Sequence, residues 1–295
     1  MTVSQDTSVE ISKAKALLYG WLSRRLSAEA LAWLDQQIKV LEAGQRPQQL
    51  AIAIGLAPRK VGKADLDLTA EELQAAQDAR PNLDPGGWSA DQAARILLVL
   101  ASADANRDAF AESIERVFAA AEIGEQIALL RGLPLLPEPE RLMPYAAEGV
   151  RSAMQPIFEA VAHRNPYPRE RFSEAQWNQM VVKTLFIGSR LSPIQGLDDR
   201  RNADLARMLV DYAAERRAAG RSISPELWRC VAPFARDSEV AALSEILLSG
   251  TQTERSGAAL ALYECPLPSA KAELSLHADL VSAIEAGRLS WNSIS

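Results

Sequence analysis

Apolar residues recur at three- and four-residue spacing along almost the whole chain, and no stretch alternates with period two between hairpin turns. That periodicity predicts an all-α protein. In "SKAKALLYGWLSRRL", Ala16, Leu17, Tyr19, Trp21, Leu22 and Leu26 fall on overlapping helical stripes. "SAEALAWLDQQIKVLEAG" follows, with Ser27 placed to cap and Gly44 to stop it. Thr69 with Glu72, Ser89 with Gln92 and Ser173 with Gln176 have capping-box spacing. Ser224 before Pro225 reads as a cap with proline at the first helical position. The clusters "RPNLDPGGW", "RGLPLLPEPE", "NPYPRERF", "SPIQGLDDRRN" and "CPLPSA" separate the helices.

Beyond Asn202 the helices read as short antiparallel pairs, "NADLARMLVDYAAERRAAG" with "SPELWRCVAPFA" and "SEVAALSEILLSG" with "ERSGAALALYEC". Each is too short to bury its apolar face alone, which is the logic of stacked helical hairpins. No fixed repeat period is visible. The expected architecture is an irregular α-α superhelix, HEAT-like in character, with a bundle-like N-terminal lobe as the alternative. At 295 residues the chain is near the limit for one core. It reads as a single helical domain, 1–295, with sub-lobes 1–135 and 136–295 as the possible division.

Charge narrows the partners. Acidic residues outnumber basic ones, 38 to 32, for a net charge of -6. The arginine clusters (Arg24 and Arg25; Arg200 and Arg201; Arg216, Arg217 and Arg221) are mostly interleaved with Asp or Glu, so no nucleic-acid partner is expected. The opening "MTVSQDTSVEISKAKALLYG" lacks the uninterrupted apolar core of a secretory signal. No apolar run reaches the roughly 18 residues of a membrane helix. The longest, at Ile96–Ala101 and in "MVVKTLFIG", are short or carry a lysine. These features lead to an expectation of a cytoplasmic protein without direct membrane insertion. Cys230 and Cys265 belong to no CxxC, and His163 and His277 have no zinc-type spacing. Reduced buried thiols are expected, with no metal and no cofactor.

Three chemical motifs are not met by the residues. "APRKVGKA" fails as a phosphate loop: Ala57 replaces the first glycine, Ala64 replaces the hydroxyl, and no strand precedes it. It reads as a solvated connector. "GLDDRRNAD" invites comparison with an aspartate-rich magnesium clamp, but Asn202 stands where a third carboxylate belongs. Asp198, Asp199, Asn202 and Asp204 fit the first turn of the next helix instead. No G-x-S-x-G occurs, and neither histidine lies near a cysteine in sequence.

The most informative stretch is "NPYPRERFSEAQWNQMVVKTLFIG", Asn165 to Gly188. Asn165-Pro166-Tyr167-Pro168 should be extended, since proline disfavours helical geometry in the residue before it. Ser173 should then cap a helix to about Ile187. Its apolar residues wrap most of the circumference, predicting a central helix. On such a helix Asn178, Gln179 and Lys183 need partners. Two readings stay open. Lys183 reaches water and Asn178 bonds a nearby loop, or Asn178, Lys183 and the Tyr167 turn give polar lining to an apolar pocket. A desolvated Lys183 could also form imines. His163, just upstream, is a further candidate.

These segments resemble the EboA family, the metabolite traffic proteins of bacterial secondary-metabolite operons. The likeness rests on "NPYP", Phe172, "WNQMVVKTLFIG", "IQGLDDRRNADLARMLVDYAAERRAAGR" and "PELWRCVAPF", with "APRKVGKADL" and "GWSADQAARILLVLA" upstream. The resemblance implies a protein encoded beside a membrane prenyltransferase and presumed metal-dependent or sugar-type enzymes. Such operons make or export a small metabolite, in cyanobacteria the precursor of a sunscreen pigment. No reaction attaches to this member, so the resemblance leans away from an enzyme and carries over no catalytic residue. The expected partners are a small-molecule metabolite or other proteins of the operon, including the prenyltransferase. The ligand-binding candidates are Asn165, Tyr167, Trp177, Asn178, Lys183, His163 and Trp228.

Overall fold

A computed structural model describes residues 2–44, 48–105 and 107–294. Among them are seventeen α-helices, four short 3-10 turns and no strand. Their one β-type feature is an isolated antiparallel bridge between Asp65 and Ser89. The protein is all-α. It divides into two compact units, 1–171 and 172–295.

The first unit holds α1 (Thr2–Arg25), α2 (Ala28–Glu42), α3 (Gln49–Lys60), α4 (Ala70–Ala79), α5 (Ala90–Ala105), α6 (Arg107–Ala120), α7 (Ile123–Gly132), α8 (Met143–Arg151), α9 (Gln155–Ala162) and α10 (Tyr167–Arg171). Of the caps read from sequence, Ser224 is not one: the helix after it begins only at Leu227, with Glu226 at the N-cap and Pro225 in the preceding turn. At Ser89 only the Gln92 half of the box forms, because the hydroxyl donates to Asp91. The Ser27 hydroxyl accepts from the Ala30 N–H, and Thr69 and Glu72 close a capping box at α4. Gly44 follows α2 with φ +66, a left-handed turn that favours glycine. "APRKVGKA" departs from the expected connector: Ala57 to Lys60 form the last turn of α3, and the turn at Gly62 follows.

α5 is the axis of this unit, packed by α1, α2, α3, α6 and α7. Ile96, Leu97, Leu98, Val99, Leu100 and Ala101 are all buried, so the run that is too short for a membrane serves as a core helix instead. A buried charge is fixed there too. The Arg95 guanidinium donates to Asp91 Oδ2 (2.7 Å), to the Ile54 carbonyl on α3 (3.2 Å) and to the Gly124 carbonyl on α7 (3.1 Å). Partners on three helices make this arginine affordable inside the core.

The second unit holds α11 (Glu174–Phe186), α12 (Ala203–Ala218), α13 (Leu227–Val231), α14 (Asp237–Ser249), α15 (Gln252–Glu264), α16 (Pro268–Ser275) and α17 (Ala278–Glu285). The expected pairs form: α12 packs on α13, and α14 packs on α15. The central helix is α15, buried continuously from Ser256 to Leu262 and packed by α13, α14, α16 and α17. Gly257 permits this. A Cβ there would lie 2.6 Å from Pro225 Cβ, so the helix and the 224–226 turn meet at backbone distance.

α11 corrects an expectation. Its capping box at Ser173 and Gln176 is present, but the helix is buried on one side only. Gln179 is exposed, Lys183 is half-buried and Phe186 is 72% exposed. Counting apolar residues around the circumference overstated its burial, because Phe186 lies on the solvent side of the last turn while Thr184 and Leu185 in the same turn are buried.

No described helix is long and apolar enough to cross a membrane. Among the described residues no three His, Cys, Asp or Glu side chains gather at metal-binding distance.

Candidate functional site

The seven candidates divide between the two units. In the first unit, Asn165 is buried and makes three hydrogen bonds. Its Nδ2 donates to the carbonyls of Leu130 and Ala160, each at 3.0 Å, and its Oδ1 accepts from the Tyr167 N–H at 3.0 Å. That last bond changes the expected geometry. Tyr167 is not extended; it opens α10, with the Glu170 N–H bonded to the Pro166 carbonyl at 3.0 Å. Proline is tolerated in a first helical turn, where its missing N–H would have no partner, so Pro168 does not prevent the helix. Arg164, just before Asn165, takes φ +50, a conformation most side chains avoid. His163 is half-buried and ends α9, its N–H bonded to the Glu159 carbonyl at 2.9 Å.

Tyr167 is buried and its hydroxyl donates to the Pro139 carbonyl. Burial pushes its pKa up to about 12; Arg171 opposes the shift and Glu140 adds to it. The carbonyl belongs to a proline-rich frame that follows α7, two 3-10 turns at Leu133–Leu135 and Pro139–Leu142. Between them Glu138 takes φ 54 and ψ 54, a left-handed residue ahead of a proline.

This frame, α10, the end of α4 and the middle of α1 (Glu10, Ile11 and Ala14) line a cleft of about 600 Å³. Ile11, Ala14, Ala79, the 133–139 segment and the Tyr167 ring supply apolar wall. Two ion pairs border it. Arg80 donates to both oxygens of Glu170, at 3.1 and 2.5 Å, and to the carbonyls of Pro134 (3.1 Å) and Pro81 (2.9 Å). Arg171 Nη1 lies 2.6 Å from Glu140 Oε1. Volume, apolar wall and a few fixed polar groups are what a small-molecule site requires. Arg80, Glu170 and the 133–139 frame were not candidates in the sequence. Arg80 lies in "RPNLDPGGW", Glu170 in "NPYPRERF" and the frame in "RGLPLLPEPE", and all three clusters read as separators, the Asn165 and Tyr167 candidates of the second aside.

In the second unit, Asn178 is buried, but its amide is matched. Its Nδ2 donates to Asn202 Oδ1 (3.1 Å), and Asn202 Nδ2 donates back to Asn178 Oδ1 (2.9 Å). Asn202 Oδ1 also accepts from the Leu205 N–H at 2.8 Å, so one side chain caps α12 and ties it to α11. Trp177 is fully buried beneath the Arg200 guanidinium, 4.7 Å from its ring centroid. Its Nε1–H finds no acceptor among the described residues. Lys183 is half-buried on α11, and Trp228 is buried on α13.

The aspartate-rich segment splits in role. Asn202 and Asp204 do belong to the start of α12, but Asp198 lies before it and holds Arg229 with both oxygens, at 2.8 and 2.6 Å. Burial raises the Asp198 pKa, yet the bond to Arg229 and the charges of Arg229 and Arg201 bring it below the usual value. Cys230 and Cys265 are free and buried, and burial pushes the Cys230 thiol up to about 12.

Fold and cleft define a helical protein with a preformed recess of small-molecule size. The chain belongs to the EboA family, described as metabolite traffic protein EboA, whose model matches residues 14–232. No curated protein and no solved structure matches the chain.

Proposed function

We propose that this protein holds a small secondary metabolite in the cleft beside Tyr167 and passes it on without transforming it. The observation that carries the reading is the cleft itself, about 600 Å³ framed by prolines. Rigid walls reduce the ordering that a ligand must impose, which favours binding. Glu170 and Glu140 already face arginines at 2.5 and 2.6 Å, so these two are held as ion pairs rather than poised as a separate acid and base. The family description fits such handling. We place the activity in the cytoplasm, in the service of other proteins of the operon, the membrane prenyltransferase among them.

Native mass spectrometry of the protein isolated from its producing cell tests the reading. A bound small molecule is expected on the wild type and not on Ala79→Trp, whose indole fills the cleft from the half-buried end of α4. Protein of unmodified mass in both preparations, or an adduct retained equally by a folded Ala79→Trp, contradicts it.

A further inference from the structure

A second recess of about 580 Å³ lies where α6, α7, α8 and α9 converge in the first unit. Phe118 on α6 and Tyr145 on α8 form one wall, their rings stacked with centroids 4.0 Å apart and planes 5° from parallel. Ala119 and Ile157 continue the apolar surface. The base is tight because Gly149 has no side chain: a Cβ there would lie 2.7 Å from Val161 Cγ2 and 3.1 Å from Leu130 Cδ1, so these two side chains pack directly on the α8 backbone.

The charges of this recess differ from those of the first cleft. Among the described residues its ionisable lining is Glu115, Glu148 and the neutral phenol of Tyr145, with no lysine, arginine or histidine. Glu148 lies 3.8 Å from Arg151, and both side chains are more than 70% exposed, a contact worth little in water. The Tyr145 phenol is raised first by burial and then by the charge of Glu115, which places that carboxylate within electrostatic reach of the ring. In the first cleft Glu170, Glu138 and Glu140 are each paired with an arginine; here the carboxylates stand beside aromatic surface. Ring faces and carboxylates both attract positive charge, and the apolar wall rewards a hydrocarbon body.

We infer that this recess binds an organic cation, an ammonium group joined to an apolar or aromatic body, with the ammonium at Glu115 and Glu148 and the body against Phe118, Tyr145 and Ile157. The site is separate from the cleft beside Tyr167, and neither needs the other to be correct.

Isothermal titration of the full chain with phenylbutylamine, phenylbutanol and phenylbutyrate tests the inference, because the three probes share a body and differ in charge. The amine is expected to bind about tenfold more tightly than the alcohol, and the carboxylate most weakly. In a Glu115→Gln, Glu148→Gln double variant amine and alcohol should come within about threefold of each other. Ala119→Trp, at an exposed position on α6, should abolish amine binding, whereas Ala79→Trp should leave it intact. Equal affinity for amine and alcohol, no measurable binding of the amine, or amine binding that survives Ala119→Trp overturns the inference. Should Ala119→Trp not fold by circular dichroism, the double variant decides: a retained tenfold preference overturns it, and a lost preference with wild-type helicity supports it.

Discussion

Replacing Asn165 tests whether this side chain builds the cleft wall. Asn165→Ala removes three buried hydrogen bonds, each 3.0 Å long. The two bonds to carbonyls are each worth about 1 kcal/mol net, and the Tyr167 N–H left without its acceptor costs roughly 1–3 kcal/mol, so a loss of about 3–5 kcal/mol is expected. That is a large share of the roughly 5–15 kcal/mol that typically holds a domain together. Because the chain has two units, a single unfolding midpoint is a poor measure. Hydrogen exchange of the amides of α8 to α10 is the better assay, since it reads the first unit alone. Asn165→Asp sharpens the test. An ionised carboxylate would face the Leu130 and Ala160 carbonyl oxygens, whereas the protonated acid could donate to one of them. The folded state therefore raises the pKa of that carboxyl, and the variant should lose stability as pH rises through the raised value. A cost below about 1 kcal/mol for Asn165→Ala, or no pH dependence for Asn165→Asp, refutes the reasoning.

Three further outcomes are expected. The Tyr167 phenol should ionise near 12 rather than 10, as seen in the phenolate absorbance difference between wild type and Tyr167→Phe. Across that window the native state keeps a proton that the unfolded state has lost, so this residue makes stability fall with rising pH above 10 and has no such effect below it. The lowered Asp198 pKa works in the opposite direction: its contribution is present above the ordinary carboxylate value and is lost as pH falls through the depressed one. Asp198→Asn should remove that acid-side component in urea titrations across pH. It should cost only about 1 kcal/mol, because the carboxylate is 45% exposed. Neither Cys230 nor Cys265 should react with a thiol reagent in the folded protein, while both should react in denaturant, counted by the reagent's colour.

The fold was legible where local chemistry fixes it. Ser27, Thr69 and Ser173 cap the helices they were expected to cap, because a hydroxyl three residues ahead of an N–H needs no distant partner. The site was legible only in part, for the same reason. Tyr167 stood out by its prolines, but its helical turn depends on the side chain of Asn165, which the proline rule does not consider. Arg80 and Glu170 are 90 positions apart, and nothing in either neighbourhood marks the other. Asn178 was correctly read as needing a partner. That partner is Asn202, 24 positions on, which the sequence offered as a helix cap; one amide performs both tasks. Phe186 misled because an apolar side chain in a final turn is compatible with either core or solvent.

The central claim, that the cleft beside Tyr167 holds a small metabolite, is tested most directly by differential hydrogen exchange. The full chain is compared with and without the small-molecule extract of its producing cell, and Ala79→Trp serves as control. Slower exchange confined to Leu133–Glu140 and Tyr167–Arg171 in the wild type, and absent from the variant, is the expected result. Unchanged exchange in both segments, or protection that persists when the cleft is filled, contradicts the claim.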